Sequence, residues 1–286
     1  MGRWGAVFSP SNPLTLQPSH PPTLSPSQSL QPSQSPTLSV MRSSWTRVHG
    51  IKTHARGVGE GPPLLLLHGL GCSSEYFEPL QRALSNNFTT YALDMAGFGQ
   101  TRVPRGSYLQ LERLSEHVAQ WLVEMGLGQI PILGHSLGGE VALDLAARFP
   151  ERVSQLILCA PTGIPENPSV LEQMWNLTLD FPLERPALIG KAARAYLRCG
   201  ASRMLAMARD QKRHLTGPLL ERIRVPTLVI VGARDPVIRP YTAEVLGRAI
   251  LHTQTLLLPR GTHALHDSCP LEVKEAVLAF LRLESS

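Results

Sequence analysis

The fold of this chain is decided by one stretch, Ile130-Pro131-Ile132-Leu133-Gly134-His135-Ser136-Leu137-Gly138-Gly139. It is an apolar run that ends in the pattern Gly-x-Ser-x-Gly, and a helical pattern follows at once over residues 140–148. A serine on a sharp strand-to-helix turn is typical of a nucleophile elbow, which holds the serine hydroxyl clear of the sheet. Gly134 and Gly138 lack the Cβ atoms that would collide where strand and helix meet. The stretch therefore predicts that Ser136 is a catalytic nucleophile.

The composition is that of a globular protein with a sizeable core. The chain has 286 residues, of which 43% are hydrophobic and 17% charged, and this length suits one large α/β domain with an insertion. The net charge of +5 comes from residues spread along the chain, so we expect a solvated basic surface and no nucleic-acid partner. The aliphatic run at residues 64–67 is too short to span a bilayer, so we expect no stable membrane insertion. The oligomeric state stays open between monomer and homodimer.

The cysteines indicate a reducing compartment. Cys72, Cys159, Cys199 and Cys269 lie far apart, with no CxxC pair and no metal-ligand spacing. We expect reduced thiols and a cytoplasmic location, although one disulfide is not excluded at this point. Cys72 is interpreted as a wall residue of the site, because no dedicated base accompanies it.

Residues 1–40 differ from the rest of the chain. They contain eight prolines and nine serines but one charged residue, Arg3. Such a segment buries too little apolar surface to offset the entropy of ordering, so we predict a disordered Pro/Ser-rich tail. A transit peptide is an alternative that the scarcity of arginine disfavours. The simpler hypothesis is a functional start at Met41.

From residue 41 onward, strands alternate with helices, which predicts a mostly parallel sheet covered on both faces. Residues 45–56 resemble a β-hairpin around Gly50. Further strands are predicted at residues 64–67, 88–93, 153–159, 227–231 and 255–258, and the apolar run 130–133 is the strand that leads into the elbow. Helices are predicted at residues 74–85, 109–125, 140–148, 170–179, 186–197, 202–213, 241–249 and 271–281. The alternation stops in 161–222, so we assign 41–160 and 223–286 to an α/β core and 161–222 to a helical cap over the carboxyl ends of the strands.

Two further residues complete a candidate catalytic triad with Ser136. A serine hydroxyl needs a base within hydrogen-bond reach, and the base needs an orienting group. Asp235 follows the predicted strand 227–231, and His263 follows the strand 255–258. The chain order Ser136, Asp235, His263 is the one that goes with this elbow. Asp235 could instead cap the turn at its Asp-Pro step, and His266 competes with His263 as the base.

Five motifs in this order resemble the α/β-hydrolase superfamily, and specifically its small bacterial-type serine hydrolases with a helical cap. The resemblance begins near Val48 and extends to the C-terminus. The motifs are His68-Gly69-Leu70-Gly71, Asp94-Met95-Ala96-Gly97-Phe98-Gly99, Gly134-His135-Ser136-Leu137-Gly138-Gly139, Gly232-Ala233-Arg234-Asp235-Pro236 and Gly261-Thr262-His263. The resemblance implies the α/β-hydrolase fold, with the cap inserted before the strand that bears the acid. It also implies an oxyanion hole formed by the backbone N–H groups of Leu70 and Leu137.

The same resemblance assigns the neighbouring polar residues. Asp94 belongs to a structural loop, His68 supports the oxyanion loop, and His135 packs beside the serine. His263 is preferred as the base because it lies two residues after the loop glycine, and His266 and Asp267 are then expected at the surface or the pocket rim.

The expected activity is that of a serine hydrolase, carboxylesterase-like, that cleaves a carboxylic ester or related acyl bond of a small apolar substrate through an acyl-enzyme on Ser136. Haloalkane dehalogenases and epoxide hydrolases of this superfamily carry aspartate at the elbow, so neither enzyme class is expected here. No cofactor or metal motif is present either, so we expect no cofactor and no metal. Alternatives are a carbon–carbon bond hydrolase of ring-cleavage products and a slow-turnover ligand receptor on the same fold. Six apolar residues of the cap are candidates for the lining of an acyl pocket, namely Leu171, Met174, Trp175, Leu177, Met204 and Met207. An equally good interpretation is that they form the core of the cap itself.

Overall fold

One eight-stranded sheet organises the computed structural model of this chain, which describes residues 40–104, 110–164, 169–214 and 216–283. The predicted tail, apart from Val40, lies outside the described residues. The strands are β1 (Arg42–Val48), β2 (Ile51–Val58), β3 (Pro63–Leu67), β4 (Thr89–Leu93), β5 (Ile130–His135), β6 (Val153–Cys159), β7 (Thr227–Gly232) and β8 (Thr253–Leu258). Their order in the sheet is β1-β2-β4-β3-β5-β6-β7-β8. Pairing is antiparallel between β1 and β2 and between β2 and β4, and parallel throughout the rest.

Ten α-helices occur in the described part of the chain. They are α1 (Glu78–Leu84), α2 (Leu111–Glu124), α3 (Leu137–Arg148), α4 (Val170–Asp180), α5 (Pro186–Cys199), α6 (Ala201–Arg213), α7 (Gly217–Leu220), α8 (Tyr241–Ala249), α9 (Leu265–Ser268) and α10 (Pro270–Leu283). None of these combines the length and the apolar character that a membrane-crossing helix needs.

The aliphatic strand β3 explains why both faces of the sheet are covered. Leu65 and Leu67 face a core shared with α2, α3 and α8, whereas Leu64 and Leu66 face a second core shared with α1 and α10. Successive side chains of a strand point to opposite faces, so an uninterrupted leucine run requires apolar partners on each side. The predicted mostly parallel sheet with helices on both faces is confirmed.

The helices α4 to α7 lie between β6 and β7, and no strand interrupts them in the described residues. They pack on the loops that follow the carboxyl ends of the strands. The Tyr196 ring of α5 lies where a Cβ at Gly71 would be, and the Arg203 side chain of α6 lies against Gly97. This position agrees with a cap, and the division at 161–222 stays a prediction.

Candidate active site

Ser136 lies at the apex of the turn between β5 and α3, with φ 53° and ψ −121°. A non-glycine residue in this region is strained and needs a surrounding structure that enforces it. The enforcement is steric, because a Cβ at Gly134 would overlap the carbonyl oxygen of Gly138, and one at Gly138 would overlap that of Leu67. The predicted strand, turn and helix are therefore all present, and only glycine fits at the two flanking positions.

The loop after β3 presses directly on this turn. A Cβ at Gly69 would lie 3.3 Å from the Cβ of Ser136. In the described residues, the backbone N–H groups of Leu70 and Leu137 donate to no acceptor. The structure thus brings both residues of the predicted oxyanion hole next to Ser136 with unused donors, one of them at the N-terminus of α3, where the helix dipole favours negative charge.

His68 supports that loop as expected. Its Nδ1–H donates to the carbonyl oxygen of Gly69 at 2.8 Å, and its Nε2 accepts from the N–H of Met95 at 3.2 Å. This pairing requires the neutral Nδ1–H tautomer. Burial lowers the pKa of His68, although Asp94 opposes the shift, so the neutral form is favoured. The imidazole therefore ties the loop after β3 to the loop after β4.

Asp235 and His263 form a buried pair, as predicted. His263 Nδ1 lies 2.9 Å from Asp235 Oδ2. The other oxygen, Oδ1, accepts from the N–H groups of Val237 and Ile238 at 2.7 and 2.9 Å. The two interpretations of Asp235 are thus compatible: one oxygen caps the Asp-Pro turn, while the other is directed at the imidazole.

The His263 loop is also held from two sides. His135 Nε2–H donates to the carbonyl oxygen of His263 at 2.9 Å, so the elbow histidine links the nucleophile turn to the base loop. From the opposite side, the N–H of His263 donates to Asp180 Oδ1 at 3.3 Å, and that of Ala264 donates to Glu184 Oε1 at 3.1 Å.

The carboxylates of Asp180 and Glu184 are site residues that sequence reasoning missed. They come from the helical insertion, and no motif in its sequence indicates where it docks. Burial by itself lowers the pKa of His263, but attraction to Asp235, the hydrogen bond with it, and the charges of Asp180 and Glu184 outweigh burial and raise this pKa. Burial raises the pKa of Asp180 to about 7.

One link of the predicted triad is not formed. Both residues are buried, Ser136 with 9% of its surface exposed and His263 with 4%. Even so, Ser136 Oγ makes no hydrogen bond to His263 or to any other described residue. The structure therefore brings Asp235 and His263 into contact, and it links the turn that bears Ser136 to them through the hydrogen bond from His135 to the carbonyl oxygen of His263.

The expectation for His266 and Asp267 is wrong, because both are buried. His266 is fully buried, with its ring centroid 4.2 Å from that of Tyr76 and 4.7 Å from that of His135. Burial lowers its pKa to about 3. Asp267 pairs with Arg185, whose Nε lies 2.6 Å from Oδ2. The short helix α9 turns both side chains inward, and these four residues have no distinct sequence pattern.

Asp94 belongs to a structural loop, as expected, but it also forms a second His–Asp pair. His54 Nδ1 lies 2.8 Å from Asp94 Oδ2, and His54 Nε2 lies 3.1 Å from Ser43 Oγ. The Asp94 oxygens also accept the N–H groups of Ser74 and Gln100, at 2.6 and 2.7 Å. Ser43 lies within the edge strand β1 and not on a strained turn, so it does not resemble a nucleophile. The Ser43, His54 and Asp94 side chains instead hold the loop after β4 in place.

The four cysteines are buried free thiols. Burial raises the pKa of Cys72 to about 12, which keeps it a protonated wall residue and not a nucleophile. No group of three His, Cys, Asp or Glu side chains in the described ranges is arranged to hold a metal ion.

The candidate acyl-pocket residues of the insertion separate into different environments. Leu177 lines a cavity of about 30 Å³ together with Tyr76, Asp180 and Tyr196, among others. Met207 is buried in the main core, Met204 packs against that core, and Trp175 is 67% exposed. The side chains of Leu171 and Met174 lie outside the described part. Of the residues expected at the pocket, only Leu177 is therefore placed at this cavity.

Comparison with known proteins agrees with this geometry. A sequence profile described as the alpha/beta hydrolase fold matches residues 62–195. The uncharacterised Mycobacterium tuberculosis protein Rv2715 is 32% identical over 159 residues, which cover 51% of this chain and 46% of that protein. The 2-hydroxy-6-oxo-2,4-heptadienoate hydrolase of Pseudomonas putida is 32% identical over 143 residues, covering 49% and 52%. The chain thus spans about half the length of these curated relatives.

Among solved structures, a thermophilic esterase from Thermogutta terrifontis has a TM-score of 0.72 at 24% identity, covering 84% of this chain and 98% of that one. At this identity the likeness concerns the fold. The profile match and the shared fold agree with the sheet order and with the strained serine turn between β5 and α3. On these grounds the chain has the α/β-hydrolase fold, and residues 62–195 are similar to the sequence family of that name.

Proposed function

We propose that this protein is a serine hydrolase that cleaves a carboxylic ester, or a related acyl bond, of a small apolar substrate. The observation that carries the proposal is the convergence at Ser136. A strained turn presents its hydroxyl, a buried His–Asp pair lies on the adjacent loop, and the N–H groups of Leu70 and Leu137 beside it have no acceptor in the described residues.

The pair Asp235–His263 supplies the base. Because Nδ1–H donates to Asp235 Oδ2, the free lone pair is on Nε2, which takes the proton as Ser136 Oγ attacks the carbonyl carbon. The protonated imidazole then gives that proton to the leaving alkoxide, and the acyl group stays on Ser136. A water molecule attacks the acyl-enzyme and loses a proton to His263, which then gives this proton to Ser136 Oγ as the carboxylic acid is released.

The donors of Leu70 and Leu137 would hold the tetrahedral oxyanion. They are fixed before the reaction, by the His68 contacts on one side and by the start of α3 on the other. Preorganised donors of this kind need no rearrangement as negative charge develops, and losing one typically costs roughly 10²–10³ in rate.

The absent Ser136–His263 hydrogen bond is compatible with this mechanism, because catalytic hydrogen bonds are often long in the free enzyme and tighten once substrate is bound. The raised pKa of His263 implies that the neutral base predominates only on the alkaline side of its usual range. Ester hydrolysis should therefore increase toward alkaline pH.

Because Asp180 accepts the N–H of His263, we take the cavity that Asp180 lines as the acyl pocket, and its small size favours a short acyl group. About 30 Å³ accommodates one or two water molecules, so a long chain would have to displace side chains of α4 and α5. In this proposal, α4 to α7 act as the cap that encloses the substrate. We expect faster turnover of acetate and butyrate esters than of decanoate.

The test is labelling by a fluorophosphonate probe together with hydrolysis of p-nitrophenyl esters from acetate to decanoate. Ser136→Ala and His263→Ala should each abolish labelling and reduce kcat by roughly 10³ or more. Ser202→Ala, which removes an exposed hydroxyl from α6, is the matched control and should behave as wild type. Correctly folded wild-type protein that neither reacts with the probe nor hydrolyses any ester would contradict the proposal and leave a ligand receptor as the alternative.

Carbon–carbon bond hydrolysis is the second candidate, and the 32% identity to the heptadienoate hydrolase supports it. The same serine, base and oxyanion donors serve both reactions, so the substrate decides. Loss of the absorbance of a 2-hydroxy-6-oxo-2,4-dienoate at a rate well above that of the best ester would assign this reaction instead.

A further inference from the structure

A cavity of about 550 Å³ does not include Ser136 in its lining and is strongly basic. It is bounded by β1 and β2, by the loop after β4, and by α5, and its lining includes Trp45, Lys52, Glu75, Arg102 and Arg198. An adjoining cavity of about 310 Å³ shares Arg102 and Arg198 and adds Arg203. We call these two cavities together the basic cleft.

The positive charge of the basic cleft is not neutralised by the residues that the structure describes. Lys52, Arg102, Arg198 and Arg203 have no carboxylate partner among the described residues, and Glu75 is the one acid in the lining. Other arginines of this chain are paired, as between Arg82 and Glu78, Arg148 and Glu116, and Arg185 and Asp267. Like charges collected in a concave, low-dielectric site raise the local concentration of anions.

The wall formed by Arg203 is held in place. Its Nη1 donates to the carbonyl oxygen of Gly97 at 2.6 Å, and a Cβ at Gly97 would lie 3.1 Å from the Arg203 Cδ. Its Nε is buried and has no acceptor in the described ranges. Gly97 has φ +91°, which only glycine adopts without strain. The local backbone is thus shaped around a guanidinium that still has an unused donor.

The Trp45 side chain provides a surface for an organic group. Trp45 is 44% exposed, and Lys52 Nζ lies 4.4 Å from its ring centroid. The ring of His54, whose position is fixed by Asp94, lies 4.8 Å from that of Trp45. The cleft therefore combines several cations with a half-exposed aromatic ring.

We propose that the basic cleft binds a phosphomonoester. Four cations against one carboxylate leave an excess of three positive charges, which suits a dianion better than a carboxylate. Guanidinium groups match phosphate oxygens in bidentate geometry, and the volume leaves room for the organic group of the ester beside Trp45. This ligand site is separate from the proposed hydrolase chemistry and does not depend on it.

Isothermal titration calorimetry at low ionic strength, in a phosphate-free buffer, tests the proposal with glycerol 3-phosphate as the probe. Wild type should bind it saturably, should not bind glycerol, and should bind glutarate more weakly. Arg102→Ala/Arg198→Ala should weaken binding by at least about tenfold, because the two substitutions remove charge-assisted hydrogen bonds to the phosphate. Both side chains are exposed, so the variant should fold, and its circular dichroism checks this.

Arg194→Ala is the matched control, because Arg194 is an exposed residue one turn earlier on α5 and does not line the cleft. It should bind as wild type does. Ser136→Ala should also bind normally, which separates this proposal from the hydrolase proposal. The inference is wrong if wild type shows no saturable binding, if the double variant binds equally well, or if glutarate binds as tightly as glycerol 3-phosphate.

Discussion

Asp235 uses its two oxygens for two different purposes, and single substitutions can separate them. Oδ1 caps the N–H groups of Val237 and Ile238, while Oδ2 faces His263 Nδ1. In Asp235→Asn, the amide oxygen can keep the cap, but an amide N–H directed at Nδ1 would favour the wrong tautomer of the imidazole. We expect kcat to fall by roughly 10⁴, with little change in Tm.

Asp235→Ala removes the cap as well, so it should be equally inactive and also less stable, by about 1–2 kcal/mol. Ester hydrolysis and thermal unfolding of the two variants, measured side by side, distinguish the roles. An active Asp235→Asn enzyme would remove this residue from the proposed catalytic group and leave only the turn.

At the scale of single residues, the sequence predicts where a residue lies in the fold when a motif determines both its backbone conformation and its position at a strand end. Ser136, Asp235 and His263 each follow directly from such a motif. The predicted exposure of His266 was wrong because its burial depends on how α9 packs against Tyr76, and no local sequence pattern indicates that packing. Asp180 was missed for a related reason: its contact with His263 depends on the docking of the helical insertion.

At the scale of elements, a buried ion cluster joins α6 to the elbow helix α3. His214, at the end of α6, lies 3.0 Å from Asp144 Oδ2 and 3.3 Å from Glu140 Oε1. Arg148 Nη1 lies 3.2 Å from Asp144 Oδ1 and adds a positive charge. Burial by itself lowers the pKa of His214, but the hydrogen bonds with Asp144 and Glu140 outweigh it and raise the pKa to about 9.

This cluster should make stability depend on pH. The folded state keeps the proton of His214 up to a pKa of about 9, whereas the unfolded state loses it near 6.5. The stabilisation is therefore complete below pH 6.5 and is lost as the pH rises to about 9. The shift corresponds to a loss on the order of 3 kcal/mol in the free energy of unfolding.

Urea unfolding across this pH range measures the effect, with His214→Gln as the comparison, because glutamine is polar but does not titrate. The variant should be less stable than wild type at pH 6 and should lose much less stability between pH 6.5 and 9. Equal pH slopes for the two proteins would show that His214 is not the titrating group.

Element boundaries were predicted where one physical signal dominates. The helix α8 and the strand β6 coincide with their predicted ranges, because apolar periodicity and flanking turns agree there. The helix predicted at residues 74–85 is instead a 3-10 turn, Ser74–Phe77, followed by α1. Pro79 has no N–H to donate to Glu75, so a continuous α-helical ladder cannot form at that step.

At the scale of the whole molecule, the sheet could be predicted because β3 and β5 are apolar on both faces, which only a doubly covered parallel sheet accommodates. The helical insertion was expected over the carboxyl ends of the strands, but the contacts that dock α4 to α7 there could not be predicted in the same way. Their contacts with the loops after β3 and β4, through Tyr196 and Arg203, are long-range and use side chains that are unremarkable in sequence.

The same architecture predicts that residues 1–40 are dispensable for folding and catalysis. The sheet begins at β1, whose pairing with β2 extends from Arg42, opposite Gly57, to Val48, opposite Ile51. Removing residues 1–40 leaves every one of these pairs in place, and it leaves the described contacts around Ser136, Asp235 and His263 unchanged. We therefore expect a variant that begins at Met41 to unfold at the same Tm as the full chain and to hydrolyse p-nitrophenyl butyrate with the same kcat/KM.

The matched comparison is a shorter variant that begins at Gly50 and lacks β1. It should be less stable, because β2 would become the exposed edge of the sheet and the buried Val48 would be lost from the core. Differential scanning calorimetry and ester kinetics on the three chains separate the effects. A Met41 variant that unfolds at a clearly lower temperature than the full chain would contradict the prediction, because its described hydrogen bonds alone would then not account for the stability of the sheet edge.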